Sequence, residues 1–188
     1  MNIVDEKKKI RSRLFQERKE VTTDFKSPYD RSICETLIMK LKEMRCDVVH
    51  CYIPMSNEID IKPVIEYLLK ENKTVVCPKT LPRRQLENRV LESLEPEDLE
   101  FGPMKTQHPK KEKVYSGVYD LVIVPGLAFD SKKFRVGYGG GYYDTFLNNH
   151  PEAKTVGVFY PFQEVESVPR EKHDVCLDEI LVNKELKY

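Results

Sequence analysis

The sequence lacks any apolar run that approaches the roughly 20 residues needed to span a bilayer. Its first residues are polar, with a charged stretch at residues 5–9 where a signal peptide would carry an apolar segment. The 31 basic residues are balanced by 31 acidic ones, so no net charge favours nucleic acid or a membrane surface. We therefore expect a cytoplasmic protein that binds neither nucleic acid nor membrane, and nothing in the sequence demands more than a monomer.

The sequence also lacks a CxxC motif, and its cysteines are odd in number. This pattern gives poor support to a disulfide framework or a zinc site. The simplest interpretation is a set of free, buried thiols in a reducing compartment. The five cysteines are Cys34, Cys46, Cys51, Cys77 and Cys176.

Two common phosphate-binding motifs are missing as well. G-x-x-x-x-G-K-[ST] does not occur, and G-x-G-x-x-G fails because Tyr142 stands where its last glycine should be, counted from Gly137. The chain instead has four glycines within residues 137–141, just after Arg135. Such a run can turn several backbone N–H groups toward one anion, and Arg135 adds a full positive charge. Phosphate binding is one interpretation of this glycine loop, which we define as residues 135–143, and a merely flexible loop is the other.

Asp144 directly follows the glycine loop, at the start of a helix that we predict over residues 142–149. A carboxylate beside a bound phosphate is a suitable Mg²⁺ ligand, because Mg²⁺ takes carboxylate and phosphate oxygens together with water. The alternative is an acidic residue that interacts favourably with the positive end of the helix dipole. The pattern alone favours this second interpretation.

The order of apolar patterns predicts an α/β fold. Apolar residues recur at helical spacing over residues 2–20 and 60–71, and in a helix that Ser27 would cap with Pro28 in its first turn. Short apolar runs predict strands at residues 48–53, 74–77, 89–94, 119–126, 155–159 and 180–182. Because strands and helices alternate, we predict a single α/β domain over residues 1–188, a three-layer open sheet that is mostly parallel with mixed edge strands and helices on both faces. The run at 89–94 would be an edge strand, and the rest of residues 81–117 is expected to be mostly surface loop.

The sequence PGLAFD at residues 125–130 is followed by GYGGGYYD at residues 137–144. Together these two segments resemble the 5-formyltetrahydrofolate cyclo-ligase family, also called methenyltetrahydrofolate synthetase. Weaker matches follow in the family's order: Lys7 with Arg11, PMSNEI at 54–59, VPREKHD at 168–174 and LDEI at 177–180. The chain departs from the family pattern at residues 132–134, where a glycine is usual, and at Thr145, where arginine is frequent.

The resemblance implies an enzyme that uses ATP and Mg²⁺ to convert 5-formyltetrahydrofolate into 5,10-methenyltetrahydrofolate, ADP and phosphate, through phosphorylation of the formyl oxygen. It implies nucleotide binding by Lys7, Arg11, Arg135, Val136, Gly137, Tyr138, Gly139, Gly140, Gly141, Tyr142 and Tyr143. It implies folate binding by Ile53, Glu58, Tyr138 and Tyr142, and Mg²⁺ binding by Asp144 and Asp174. Candidates for stacking on the pterin are Tyr52, Tyr138, Tyr142 and Phe159. No residue is assigned as a nucleophile.

Two other functions stay open at this point. One is an ATP-dependent ligase or kinase that acts on a different acceptor, and Glu58 in its PMSNEI setting argues instead for a pterin. The other is a nucleotide- or folate-binding protein without turnover, against which the two candidate Mg²⁺ carboxylates argue. Without the resemblance, Lys7 and Arg11 would read as part of a solvated, charged helix face.

Overall fold

The computed structural model describes residues 2–55 and 57–186, without the side chain of Met104. Within this part of the chain, the α-helices are Ile3–Lys19 (α1), Thr23–Met44 (α2), Lys62–Lys70 (α3) and Tyr142–Asn149 (α4). The β-strands are Val48–His50 (β1), Thr74–Thr80 (β2), Leu86–Leu91 (β3), Leu99–Phe101 (β4), Gln107–Pro109 (β5), Leu121–Val124 (β6), Ala128–Phe129 (β7), Arg135–Val136 (β8), Lys154–Val158 (β9) and Glu179–Leu181 (β10). None of the described helices has the length and apolar character that a bilayer crossing requires.

The main sheet has six strands in the order β10-β9-β6-β1-β2-β3. Every neighbouring pair is parallel except β2 and β3, which are antiparallel. All four residues of the central strand β6 are buried, as a parallel strand covered on both faces requires. The predicted α/β fold with a mostly parallel sheet is therefore confirmed, and the antiparallel strand lies at one edge.

Helices cover both faces of this sheet, as predicted, because alternate residues of each strand point to opposite sides. On one face, Val49 and Ile123 share a core with Ile33 of α2 and Val64 of α3. On the other face, strand residues such as Val122 pack in a core with two side chains of α4. A third, smaller cluster joins Leu14 of α1 to Ala128 and Val136 of the short β7–β8 hairpin. This last contact places α1 beside the glycine loop, which begins with β8.

Helix α2 begins earlier than predicted. Thr22 is its N-cap, with a side chain that accepts a hydrogen bond from the Phe25 backbone N–H at 3.4 Å, and Pro28 lies inside the helix. The prediction that Ser27 caps this helix was wrong, because tertiary packing stabilises the additional turn. The ring of Phe25 stacks on Tyr29 with centroids 5.3 Å apart, a contact that fixes the helix start in the core.

Residues 81–117 contain more regular structure than expected. Strand β3 runs over Leu86–Leu91, so the predicted edge strand exists but begins earlier, and β4 pairs with β5 as a small antiparallel hairpin. Arg89 of β3 is 1% exposed and holds this hairpin, donating to the Pro109 carbonyl at 2.9 Å and to Glu87 at 2.7 Å. A loop was expected at β4 and β5 because strands of three residues are too short to leave a periodic apolar pattern in the sequence.

The cysteines are free, as predicted, but Cys176 is exposed rather than buried. Cys51 and Cys77 lie on neighbouring chain segments of the sheet, with their sulfur atoms 3.8 Å apart. Burial raises the pKa of the Cys77 thiol well above its ordinary value, so this thiol stays protonated, and both cysteines pack as small core residues.

We expect the buried His50 to make the stability of the fold sensitive to acid. The centroid of its ring lies 4.4 Å from that of Phe146, and its Nε2 pairs with Asn88 Oδ1 at 3.0 Å. Burial lowers the pKa of His50 from 6.5 to about 3. The unfolded chain therefore takes up a proton between these pH values while the folded chain does not. We expect the free energy of unfolding to fall by up to about 1.4 kcal/mol per pH unit from this residue as the pH drops below 6.5.

Urea unfolding at several pH values tests this effect. The variant His50→Gln should decline less steeply with falling pH than the wild type. The control variant Asn149→Gln changes an exposed residue of α4 that does not titrate, and it should keep the wild-type slope. Equal slopes in the wild type and His50→Gln would contradict the assignment.

Candidate active site

A cleft of about 500 Å³ opens at the carboxyl ends of β1 and β6, the edge where open α/β sheets bind ligands. Its walls come from α1, the segment after β1, the β2–β3 hairpin, the glycine loop and the residues around Asp174. The residues that the resemblance assigns to nucleotide, folate or Mg²⁺ all line this cleft: Lys7, Arg11, Ile53, Glu58, Arg135, Val136, Gly137, Tyr138, Gly139, Gly140, Gly141, Tyr142, Tyr143, Asp144 and Asp174. The fold thus brings together residues from both ends of the chain.

The glycine loop has positive φ angles of the kind that an anion nest uses. Gly139 has a φ of 103° and Gly141 a φ of 67°, both in the left-handed region that favours glycine. Gly141 is also the N-cap of α4, so the loop leads directly into the positive end of a helix dipole. Arg11 supports the loop by donating from Nε to the Gly137 carbonyl at 2.9 Å. Loop, helix end and guanidinium together form a site suited to phosphate.

The segment just before the loop explains one departure from the family pattern. Lys133 has a φ of 65°, a left-handed conformation in which a glycine would carry no strain. Two hydrogen bonds hold it, from its backbone N–H to the Asp130 carbonyl at 2.9 Å and from Nζ to the Asp178 carbonyl at 2.8 Å. The chain therefore makes its turn here with a lysine.

Two carboxylates and two cations form the acidic wall of the cleft. Lys7 Nζ contacts Asp174 Oδ2 at 2.6 Å, and Arg135 contacts Asp144 Oδ1 at 3.2 Å. Burial lowers the pKa of Arg135, and the charges of Asp144 and Asp174 oppose that shift, so both carboxylates act on the same guanidinium. Carboxylate oxygens are the ligands that Mg²⁺ prefers, and the donor set present here fits that cation.

Glu171 and His173 extend this wall beyond the residues found from the sequence. Their ligand atoms and one from Asp174 all lie within 4.8 Å of one another, an arrangement that could hold a metal ion. Glu171 also pairs with Lys7 at 3.0 Å, and its backbone N–H donates to Asp174 Oδ2 at 2.7 Å. Of these three residues only Asp174 was predicted as a ligand, because neither Glu171 nor His173 has a metal-ligand spacing that is visible in the sequence.

Glu58 is the buried acid on the opposite side of the cleft. It is 5% exposed, one carboxylate oxygen accepts from the Tyr138 hydroxyl, and the other accepts from the Met55 backbone N–H at 2.9 Å. Burial raises the pKa of Glu58, while Arg18 and the hydrogen bond from Tyr138 partly offset this rise. Because Tyr138 also belongs to the glycine loop, one residue joins the two sides of the cleft.

Arg18 stabilises this arrangement and was missed by sequence analysis. Its Nη2 lies 2.5 Å from the Tyr138 hydroxyl and 3.2 Å from Asn57 Oδ1, and its guanidinium carbon lies 5.3 Å from the centre of the Tyr138 ring. A usable signal was present, since Lys7, Leu14 and Arg18 follow at spacings of seven and four on one stripe of α1. All three are buried. A charged residue on that apolar stripe indicates an inward role.

Three of the four stacking candidates, Tyr52, Tyr138 and Tyr142, line the cleft. Phe159 does not, since it is 0% exposed and packs against Phe129 with ring centroids 4.8 Å apart. The prediction that Phe159 stacks on a ligand was therefore wrong. Strand β9 ends just before Phe159 and turns its ring into the core.

Comparisons with known proteins agree with this architecture. Residues 3–183 match the 5-formyltetrahydrofolate cyclo-ligase family. The 5-formyltetrahydrofolate cyclo-ligase of Haemophilus influenzae is 28% identical over 181 residues, which cover 94% of this chain and 97% of that protein. The protein of the same name from Escherichia coli is 30% identical over 138 residues, covering 71% of this chain and 76% of that protein.

Among solved structures, the 5,10-methenyltetrahydrofolate synthetase of Aquifex aeolicus is similar with a TM-score of 0.81 and 26% identity, covering 95% of this chain and 90% of that one. This similarity extends over nearly the whole α/β fold. The chain belongs to the 5-formyltetrahydrofolate cyclo-ligase family, and it is a ligase of that family.

Proposed function

We propose that this protein uses ATP and Mg²⁺ in the cytoplasm to cyclise 5-formyltetrahydrofolate to 5,10-methenyltetrahydrofolate, with release of ADP and phosphate. The observation that carries the proposal is the position of Tyr138. Its backbone belongs to the glycine loop, and its hydroxyl donates to the buried Glu58. A phosphate site and a pterin anchor therefore adjoin in one cleft, as transfer of a phosphoryl group to a folate requires.

The nucleotide half of the cleft is the glycine loop with its flanking cations. Arg11 lies against the loop, so its guanidinium carbon would be 3.4 Å from a Cβ at Gly139. Arg135 and Lys7 are each at most 6% exposed, and both face the cleft. We assign these three side chains to the triphosphate, whose negative charge they offset. Mg²⁺ bound through Asp144 and Asp174 would neutralise further charge on the transferred phosphoryl group.

The folate half is the pocket around Glu58. A carboxylate accepts hydrogen bonds from the N–H groups of a pterin, and it is a polar anchor among apolar walls such as Ile53. Tyr138 and the Met55 N–H occupy one lone pair on each oxygen, which leaves acceptor capacity for the ligand. The aromatic rings of Tyr52 and Tyr142 provide flat surfaces for the pterin.

The chemistry needs positioning more than an enzyme nucleophile. An amide-like formyl oxygen is a poor leaving group until the γ-phosphoryl group of ATP is transferred to it, with ADP as the other product. The folate N10 then forms a bond to the formyl carbon and loses its proton, while the C–O bond breaks and phosphate departs. The cations of the cleft stabilise the charge that moves during both steps, and the cleft keeps the two substrates in contact.

A near-ultraviolet absorbance assay for the methenyl product tests the proposal. Purified protein mixed with 5-formyltetrahydrofolate and Mg²⁺ should form product only when ATP is added, with one ADP for each methenyl group. Folate binding without product would contradict turnover and leave a binding protein. ATP hydrolysis linked to another acceptor, without methenyl formation, would favour a different ligase or kinase activity.

A further inference from the structure

We propose that Arg84, at the tip of the β2–β3 hairpin, binds the phosphate chain of the nucleotide and closes the cleft over the glycine loop. This inference rests on the proposed function and adds to it a residue that neither the sequence motifs nor the family resemblance identified. The hairpin is tight: Thr80 pairs with Leu86, and the Leu81 N–H donates to the Gln85 carbonyl at 2.9 Å.

The hairpin tip is held in a conformation that side chains seldom adopt. Arg83 has a φ of 59° and Arg84 a φ of 61°, so two consecutive residues that are not glycine lie in the left-handed region. Glycine or asparagine would make this turn with less strain. The chain nevertheless carries two arginines here, and the turn directs the second of them into the cleft.

The side chain of Arg84 lies across the start of α4. Its Cδ, Nε and Cζ atoms would be 3.3, 3.5 and 3.6 Å from a Cβ placed on Gly141. Gly141 is the N-cap of α4 and the last glycine of the loop, where backbone N–H groups and the helix dipole favour an anion. An anion in the glycine loop would therefore meet Arg84 on the opposite wall.

Arg84 also differs from the other cations of the cleft in its partners. Lys7 is paired with Asp174, Arg135 with Asp144, and Arg11 donates to the Gly137 carbonyl. Arg84 makes no hydrogen bond or ion pair with the residues that the structure describes, and it is exposed to solvent. Its five N–H donors are therefore available to a ligand, and a guanidinium matches the geometry of a phosphate.

The glutamate tail of folate is the other anion that could reach Arg84. The geometry favours the nucleotide, because the side chain of Arg84 lies against Gly141 of the glycine loop, whereas Glu58 contacts Tyr138 and Met55. Phosphate groups also carry more charge than a carboxylate, so they gain more from a second guanidinium. The experiment separates these two ligands.

The test compares Arg84→Gln with Arg83→Gln. Both positions are exposed, adjacent and left-handed, but Arg84 lines the cleft and Arg83 does not. We expect Arg84→Gln to raise the Kd for ATP, measured by calorimetry without folate, and the KM for ATP by about tenfold. Its kcat and its KM for folate should change less than about twofold, and Arg83→Gln should match the wild type throughout.

The outcomes distinguish this inference from the proposed function. If the wild type turns over and Arg84→Gln binds ATP as tightly as Arg83→Gln does, the inference is wrong and the function stands. A rise in KM confined to polyglutamylated 5-formyltetrahydrofolate would also overturn it, and would assign Arg84 to the folate tail. A wild-type chain that binds no ATP would overturn the proposed function itself.

Discussion

Asp174→Asn should lower kcat by about 100-fold or more while the chain stays folded. The substitution removes one charged oxygen from the proposed Mg²⁺ site, and the effect of the ion on the transferred phosphoryl group decreases with it. The asparagine side chain keeps an oxygen that can accept a hydrogen bond from the Glu171 N–H, whose nitrogen lies 2.7 Å from Asp174 Oδ2 in the wild type. Lys7 keeps its second partner, Glu171, at 3.0 Å, so no buried cation is left alone.

The same substitution at Asp144 would be a less direct test of the metal site. Asp144 lies 3.2 Å from the Arg135 guanidinium, whose side chain is 2% exposed, and it also accepts from the Val175 N–H at 3.2 Å. Asp144→Asn would therefore weaken the compensation of a buried charge, which is destabilising in itself. Loss of turnover in that variant could not be separated from loss of folding.

The measurement is kcat at saturating ATP and folate as a function of Mg²⁺ concentration, with thermal unfolding recorded for each variant. Asp174→Asn should need more Mg²⁺ and still not reach the wild-type kcat. Glu179→Gln changes a 43% exposed side chain on β10, outside the cleft, and should leave both quantities unchanged. Wild-type turnover of Asp174→Asn at limiting Mg²⁺ would remove Asp174 from the metal site.

Local signals in the sequence were sufficient for the parts of the fold that depend on neighbouring residues. Helix α4 has the predicted bounds, 142–149, because the glycine loop before it fixes its start. The central strand β6 was found because it is apolar throughout, although it is shorter than the predicted 119–126. The glycine loop could be recognised because positive φ angles at Gly139 and Gly141 require this residue type.

Charged side chains with distant partners could not be predicted in this way. Arg18 contacts Asn57, Gly126 and Tyr138, which lie 39, 108 and 120 residues further along the chain. Arg89 reads as a surface residue until the β4–β5 hairpin forms around it. In both cases the burial of a charge depends on the assembled fold, and the spacing of Arg18 with Leu14 on α1 indicates only that it faces inward, not which residues it contacts. The resemblance named the site residues but gave neither these supporting contacts nor Arg84.

Glu58→Gln should weaken binding of 5-formyltetrahydrofolate by about 10- to 100-fold, because hydrogen bonds to a charged acceptor contribute roughly 1.5–3 kcal/mol. ATP binding should stay nearly unchanged, since the glycine loop does not need the carboxylate for its backbone geometry. Calorimetry with each substrate alone measures both affinities. Glu66→Gln, an exposed position on α3 outside the cleft, is the matched control and should bind both substrates normally.

The raised pKa of Glu58 adds a dependence on pH that the glutamine variant should lack. Burial favours the protonated form, and folate binding needs the carboxylate, so wild-type folate affinity should increase as the pH rises through this pKa. Stability should change in the opposite direction. The folded state retains a proton that the unfolded chain has released, so the contribution of Glu58 to the free energy of unfolding falls as the pH rises from the ordinary carboxyl pKa through the raised one.

These two pH profiles make the role of Glu58 testable beyond a loss of affinity. A carboxylate that only supports Tyr138 and Arg18 would alter stability with pH, but folate affinity would not follow the same titration. If Glu58 anchors the pterin, folate affinity and the free energy of unfolding should both change with pH around the pKa of Glu58. Both should lose this pH dependence in Glu58→Gln. Unchanged folate affinity in that variant would reject the anchor and leave the nucleotide half of the cleft facing an acceptor other than a pterin.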